Sequence, residues 1–324
     1  MVAQNSRNSI EPCNIANPNP VRQPDYMVCC RRTASYSECV IRHSESSYRS
    51  QTEFRMPKPL SLILITLTLA AVLSAALSSK EPADRSDAPI VVLCAASNRG
   101  VMEAIRQDYE QEFGRSVLPE YGASQTLLST LEVTRTGDLY LPADDSYLGM
   151  ALQKGLIEEV LPLARMHLVV GVKRGNPLRI QELEDLRRPD VRFVQANPDA
   201  AAVGMLTRQI LQPLEKWESL ANRTTTFRST VTEATNDVKI GAADATITYD
   251  AVLHLYPDLE PVRLPEFEIA WADVRVGIVK RQPVREEVLH FARYLGAKDR
   301  GLRRYAELGF TPVDGPQWES KFRK

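Results

Sequence analysis

Two serines stand where their hydroxyl groups could hold an anion. Ser97 follows the apolar run IVVLCA (Ile90 to Ala95), and Ser124 follows a second short strand, Val117 to Tyr121. Each lies at a turn from a predicted strand to a predicted helix, where serine is a common N-cap. Helix N-termini also present free N–H groups and a partial positive charge. The pair therefore indicates an anion site without lysine or arginine, although two plain helix caps also fit the same residues.

Other kinds of chemistry have less support in the sequence. The serine-hydrolase motif G-x-S-x-G, the Walker A motif and G-x-G-x-x-G are absent. The histidines lack a second histidine at metal-ligand spacing, and we interpret them as surface or hydrogen-bonded residues. Asp144 and Asp145 are interpreted as first-turn carboxylates that the helix dipole favours. We therefore expect no enzymatic activity, no catalytic residues, no cofactor and no directly bound metal cation.

The body of the chain alternates short apolar strands with helices. Ile90 to Ala95 has the continuous apolar character of a strand buried on both faces, and the helix after it ends at Gly114. Further strands are predicted at His167 to Lys173, Arg192 to Ala196, Ala245 to Tyr249 and Val274 to Val279. This alternation predicts an α/β fold with mostly parallel sheets, in which ligands bind beyond the carboxyl ends of the strands.

Composition and charge exclude several classes of protein. With 44% hydrophobic and 25% charged residues, the chain is neither disordered throughout nor a polytopic membrane protein. Its 324 residues predict about two domains. A net charge of −1 disfavours a general nucleic-acid binder. Cys94 is the single cysteine of the body, so neither an internal disulfide there nor a structural zinc site is predicted.

An uncharged apolar run, LSLILITLTLAAVLSAAL, extends from Leu60 to Leu77 after two basic residues. It is typical of a signal peptide. We interpret residues 56–78 as a signal peptide that begins at Met56, and residues 1–55 as a disordered or mis-assigned extension. An uncleaved signal-anchor and a buried core helix are the alternatives. Under the first two interpretations the body is periplasmic or otherwise extracytoplasmic, and a signal-anchor would tether it through residues 60–77.

Seven segments of the body carry a family resemblance, in order and with near-correct spacing. They are VVLCAASN, EYGASQTLLSTLE, GDLYLPADDSYLGMALQKGLI, VVGVKRGNP, NPDAAAVG, ATITYDA and YAELGFTPV. From about Ile90 to Val313 the chain resembles the periplasmic molybdate-binding proteins of ABC importers, within the type II periplasmic solute-binding proteins. The resemblance implies a two-lobed periplasmic-binding-protein fold, each lobe a mostly parallel sheet flanked by helices, with two hinge crossings. Lobe I would take residues 89–165 plus 274–324, and lobe II residues 166–273.

The resemblance also implies a ligand and a set of donors. The ligand would be molybdate or tungstate, held through its oxygens between the lobes. Ser97 and Ser124 match the two serine hydroxyls, Tyr249 matches a tyrosine hydroxyl, and Val203 and Val231 match two backbone N–H donors. A ligand that touches both lobes stabilises the closed form. The implied partners are the small oxyanion and a membrane permease of an ABC importer, with no nucleic acid, and the protein would be a monomer.

The sequence departs from the family pattern near these donors. Ala202 and Val203 stand where the family has proline and alanine, and Asn98 stands where it has leucine. We expect a looser turn and a narrower pocket, because proline is lost and valine is larger than alanine. Two alternatives therefore stay open. One is a binding protein for sulfate, phosphate or a small organic anion, and the other is a membrane-anchored ligand-sensing domain of the same fold.

Overall fold

The structure is a computed structural model that describes residues 88–281 and 283–319. The predicted extension at 1–55 and the predicted signal segment at 56–78 lie outside these residues. Among the helices that the structure describes, none is long and apolar enough to cross a membrane.

Strands and helices alternate along the described residues, as the sequence predicts. The strands are β1 (Ile90–Ala95), β2 (Val117–Gly122), β3 (Leu139–Leu141), β4 (Ile157–Lys173), β5 (Phe193–Ala196), β6 (Thr226–Arg228), β7 (Ala245–Tyr249), β8 (Leu259–Val262), β9 (Trp271–Val279) and β10 (Thr311–Pro312). The helices are α1 (Arg99–Phe113), α2 (Ser124–Thr134), α3 (Asp145–Gln153), α4 (Ala202–Leu211), α5 (Trp217–Ala221), α6 (Val231–Lys239), α7 (Asp250–Leu253), α8 (Glu286–Leu295) and α9 (Gly301–Glu307). The α/β fold class is confirmed.

The strands form two groups that share β4. β1 pairs in parallel with β2 and β3, and β5 pairs in parallel with β6 and β7. β4 pairs antiparallel with β9 as far as His167 and with β7 from Leu168 onward. We call the strands on the β1 side the first lobe and those on the β5 side the second lobe. The chain enters the second lobe along β4 and returns at Trp271, while the lobe limits given above stay predictions.

β4 begins earlier in the chain than the sequence pattern indicates. The predicted strand began at His167, whereas β4 begins at Ile157. Glu158, Glu159 and Pro162 interrupt the apolar run, and proline cannot donate to a ladder. The structure accommodates them with register shifts between Ile157 and Glu159 and between Pro162 and Ala164. Pairing with β9, which is more than 100 residues away in the chain, therefore holds a segment that its own sequence does not mark as a strand.

The first strand and helix follow the predicted pattern closely. Val92, Leu93 and Cys94 of β1 are fully buried, as expected for a strand covered on both faces. Cys94 is a buried free thiol, and burial raises the pKa of this thiol. Gly114 ends α1 in the left-handed region at φ 66°, and its N–H donates to the carbonyl of Glu110 at 2.8 Å.

The predicted capping roles of the two serines are wrong. Ser97 lies in a short 3-10 turn (Ala96–Asn98) before α1, and Ser124 is the first residue of α2. The N-cap positions are Asn98 and Ala123, and neither makes a side-chain capping bond. Ser124 Oγ instead accepts the N–H of Ala143 at 3.1 Å. A tertiary contact, which local capping rules do not contain, decides what the Ser124 hydroxyl does, whereas Ser97 Oγ has no partner among the described residues.

Candidate functional site

A small cavity lies between the lobes, beyond the carboxyl ends of their parallel strands. Its walls include all five residues that the sequence selected: Ser97, Ser124, Val203, Val231 and Tyr249. The free volume of this cavity is about 10 Å³. The structure thus brings together residues that are up to 152 positions apart in the chain (249 − 97). A cavity of this size is about what one water molecule needs.

Much of the remaining wall is formed by small residues that the sequence analysis missed. They are Ala95, Ala96, Gly122, Ala123, Ala143 and Ala201. Alanine and glycine carry no chemical signal, and only Ala96, Gly122 and Ala123 lie directly after a predicted strand, Ile90 to Ala95 or Val117 to Tyr121. Their small size lets backbone N–H groups approach whatever occupies the cavity.

Two buried hydroxyls on opposite sides of the cavity lack a hydrogen-bond partner among the described residues. They are Ser97 Oγ in the first lobe and Tyr249 Oη in the second, and these residues are 4% and 0% exposed. An unsatisfied buried polar group costs about 1–3 kcal/mol, so native structures rarely retain one without a reason. Two such groups around one cavity indicate a ligand with hydrogen-bond acceptors.

Tyr249 is held in place by the second lobe. It ends β7, where it pairs with Leu168 of β4. Burial, together with the nearby charge of Asp144, holds the pKa of its hydroxyl well above the usual value. The hydroxyl therefore stays protonated at physiological pH and acts as a neutral donor.

Ser124 is positioned by two contacts in the first lobe. Its Oγ accepts the N–H of Ala143, and its carbonyl accepts the hydroxyl of Tyr140 at 2.8 Å. Because Oγ is used as an acceptor towards the protein, its own proton is available for a ligand.

Val203 and Val231 both lie in the first turn of a helix that borders the cavity. Val203 is the second residue of α4 and Val231 is the first residue of α6. The N–H groups of a first helical turn have no partner within the helix, and they carry the positive end of its dipole. Thr230 fixes the start of α6 through a capping box with Glu233. This T-x-x-E signature is readable in the sequence, although we did not use it to predict a site residue.

The lining of the cavity is electrically neutral. None of the described residues in its wall carries a charge. Asp144 lies beside the wall residue Ala143 and caps α3 by accepting the N–H of Ser146 at 3.0 Å. Burial raises the pKa of this carboxyl. No group of three or more potential metal ligands occurs within 88–281 and 283–319. The arrangement is suited to a small species held by hydroxyl and N–H dipoles.

A direct hydrogen bond joins the lobes beside the cavity. The N–H of Gln125, in the first turn of α2, donates to the carbonyl of Ala200 at 3.0 Å. Ala200 lies in the turn that leads into α4. The lobes are therefore in contact, and the cavity is closed on this side.

The departure at Ala202 leads to a stability prediction. Ala202 is the first residue of α4, and the preceding Ala201 is extended at φ −111° and ψ 137°. A residue before proline prefers this extended conformation. Proline at the first helical position removes only an N–H group that has no partner within the helix. We expect Ala202→Pro to raise the free energy of unfolding by about 0.4–1 kcal/mol. Urea unfolding measures this, and a lower stability would mean that the Ala202 N–H is used in the folded protein.

Comparison with known proteins places the chain in a family. The family model described as bacterial extracellular solute-binding protein matches residues 90–311. Molybdate-binding protein ModA of Escherichia coli is 24% identical over 164 residues. That match covers 48% of this chain and 63% of the relative, which is less than two thirds of the relative's length.

Solved structures agree on the fold. The periplasmic molybdate-binding protein of Azotobacter vinelandii has a TM-score of 0.58 at 17% identity, over 69% of this chain and 100% of that one. The sulfate-binding protein SubI of Mycobacterium tuberculosis has a TM-score of 0.62 at 17% identity, over 70% of this chain and 87% of that one. At these identities the likeness supports the fold alone. With the family match over most of its length, the chain belongs to the bacterial extracellular solute-binding proteins.

Proposed function

We propose that the protein captures molybdate or tungstate between its lobes and delivers it to the permease of an ABC importer. The observation that carries this proposal is the pair of unpartnered buried hydroxyls, Ser97 Oγ and Tyr249 Oη, around a neutral cavity. An oxyanion offers acceptors in several directions and few protons. Dispersed N–H and O–H dipoles stabilise such an ion without a formal counter-charge.

In the proposed mechanism, binding closes the two lobes on the ion. Ser97 and Ser124 donate from the first lobe, and Tyr249 with the backbones of Val203 and Val231 donates from the second. Because the ion contacts both lobes, it stabilises the closed form over the open one. We propose that the protein acts as an extracytoplasmic monomer and makes or breaks no covalent bond. The names of the molybdate-binding relatives support this choice of ligand.

Sulfate is the second candidate ligand. Val203 lines the cavity where the family pattern has the smaller alanine, and the free space is about 10 Å³. A narrower cavity favours the smaller of two tetrahedral dianions. The same size argument disfavours an organic anion. Phosphate is disfavoured because it keeps a proton near neutral pH, and the described wall has no carboxylate to accept that proton.

Isothermal calorimetry with molybdate, tungstate, sulfate and phosphate tests the proposal. We expect one-site binding, with molybdate and tungstate bound more tightly than sulfate, and phosphate weakest. Tighter binding of sulfate would replace the proposed ligand by the second candidate. Absence of binding for all four ions would contradict the proposed function.

A further inference from the structure

An open groove adjoins the anion cavity at Ser97. The two spaces share Ala96 and Ser97 in their walls, and the groove encloses about 500 Å³. Its first-lobe wall is the start of α1, and its second-lobe wall is formed by α6 with the segment after α7. We call this space the entrance groove, because a ligand that reaches Ser97 from solvent on this side passes through it.

Two cations face the entrance groove from opposite lobes. The Arg99 guanidinium lies over the ring of Tyr121, 5.0 Å from its centroid, and Lys239 Nζ lies 5.5 Å from the ring centroid of Tyr256. Both Arg99 and Lys239 are exposed, and within the described residues neither forms an ion pair closer than 4.0 Å. Burial raises the pKa of Tyr256, and the positive charge of Arg99 opposes that increase. Arg99 of the first lobe therefore interacts electrostatically with Tyr256 of the second lobe.

The acidic residues of the groove are already engaged. Glu103 accepts the Tyr121 hydroxyl at 2.7 Å and pairs with Arg106 at 2.9 Å. Glu233 accepts the N–H groups of Ser229 and Thr230 at 3.0 and 3.3 Å as part of the capping box of α6. These donors hold both carboxylates in place. Arg99 lies over Tyr121, close enough for its charge to help lower the pKa of Glu103, and Lys239 lies over Tyr256. The groove thus carries two cations and two carboxylates, and the two cations are the charged groups whose side chains form no hydrogen bond and no ion pair within 4.0 Å among the described residues.

We propose that the entrance groove is an outer capture site, where Arg99 and Lys239 attract the oxyanion before it passes Ser97 into the neutral cavity. This inference depends on the proposed function. The dipoles of the inner cavity act over short distances, whereas formal charges act over a Debye length of about 8 Å at physiological ionic strength. Charges at a cleft mouth raise association rates more than they raise final affinity. The groove thus supplies attraction, and the inner cavity supplies the lasting contacts.

Stopped-flow fluorescence tests whether the groove controls the association rate and the inner cavity the dissociation rate. Trp271 is a natural reporter, because its ring meets that of His167 edge to face where the chain crosses between the lobes. With molybdate as the ligand at low salt, we expect Arg99→Gln/Lys239→Gln to lower the association rate constant about 10-fold. The dissociation rate should stay unchanged, and the difference in association rate should shrink as salt is raised.

Lys280→Gln/Arg303→Gln is the matched control, since it removes the same charge outside both cavities. An equal loss of association rate in the control would show that only the net charge of the protein matters, and it would overturn the proposal. Faster dissociation with unchanged association would also overturn it, because the cations would then contact the finally bound ion. If the unmodified protein binds none of the four oxyanions in calorimetry, the proposed function fails and the capture site fails with it.

Discussion

Replacing Ser97 and Ser124 together by alanine should lower the affinity for molybdate about 10²- to 10⁴-fold. Each hydroxyl is expected to make one hydrogen bond to a charged ligand, and such bonds contribute roughly 1.5–3 kcal/mol each. Two of them amount to about 3–6 kcal/mol, where every 1.4 kcal/mol is a factor of ten. Calorimetry on the double variant measures the loss directly.

The single variants separate binding from folding. Ser97 Oγ has no partner among the described residues, so Ser97→Ala should leave the melting temperature unchanged or slightly higher while it weakens binding. Ser124→Ala also leaves the N–H of Ala143 unpaired, so a stability loss of about 1–3 kcal/mol is expected there. Ser129→Ala, on the exposed side of α2, is the control and should change neither quantity. Full affinity in Ser97→Ala would contradict the assigned site.

Gly204→Ala is expected to destabilise the protein and weaken anion binding together. A β-carbon on Gly204 would clash with the carbonyl oxygen of Ala196, and it would lie 2.8 Å from the nitrogen of Pro198 and 2.9 Å from the carbonyl carbon of Asn197. All three are backbone atoms, so no side chain can move aside, and α4 must shift away from β5. Overpacking of this kind costs about 1–3 kcal/mol.

The shift of α4 also displaces Val203, whose N–H is assigned to the ion. We therefore expect thermal unfolding of Gly204→Ala to occur roughly 2–12 °C lower, with a parallel loss of affinity for molybdate in calorimetry. Gly149→Ala is the matched control, because its β-carbon would meet nothing within 4 Å in the interior of α3. That control should gain about 0.5–1 kcal/mol. A Gly204→Ala protein with native stability and affinity would show that this close approach does not position the start of α4.

The sequence alone was informative wherever a pattern is local. The apolar run of β1, the helix stop at Gly114 and the alternation of strands with helices follow from residue types within a few positions of one another. Motif order along the chain selected the five residues that the structure gathers around one cavity. In contrast, the first half of β4 was not predicted, because Glu158, Glu159 and Pro162 give no strand signal.

The tertiary structure decided every feature that depends on contacts between distant segments. The Ser124 hydroxyl contacts Ala143 and does not cap its own helix, and β9 holds the irregular start of β4. Arg99 and Lys239 look like ordinary surface charges in the sequence, and only the approach of the two lobes places them on one groove. Periodicity and capping rules act within a few residues, whereas the position of one lobe against the other depends on packing between segments more than 100 residues apart.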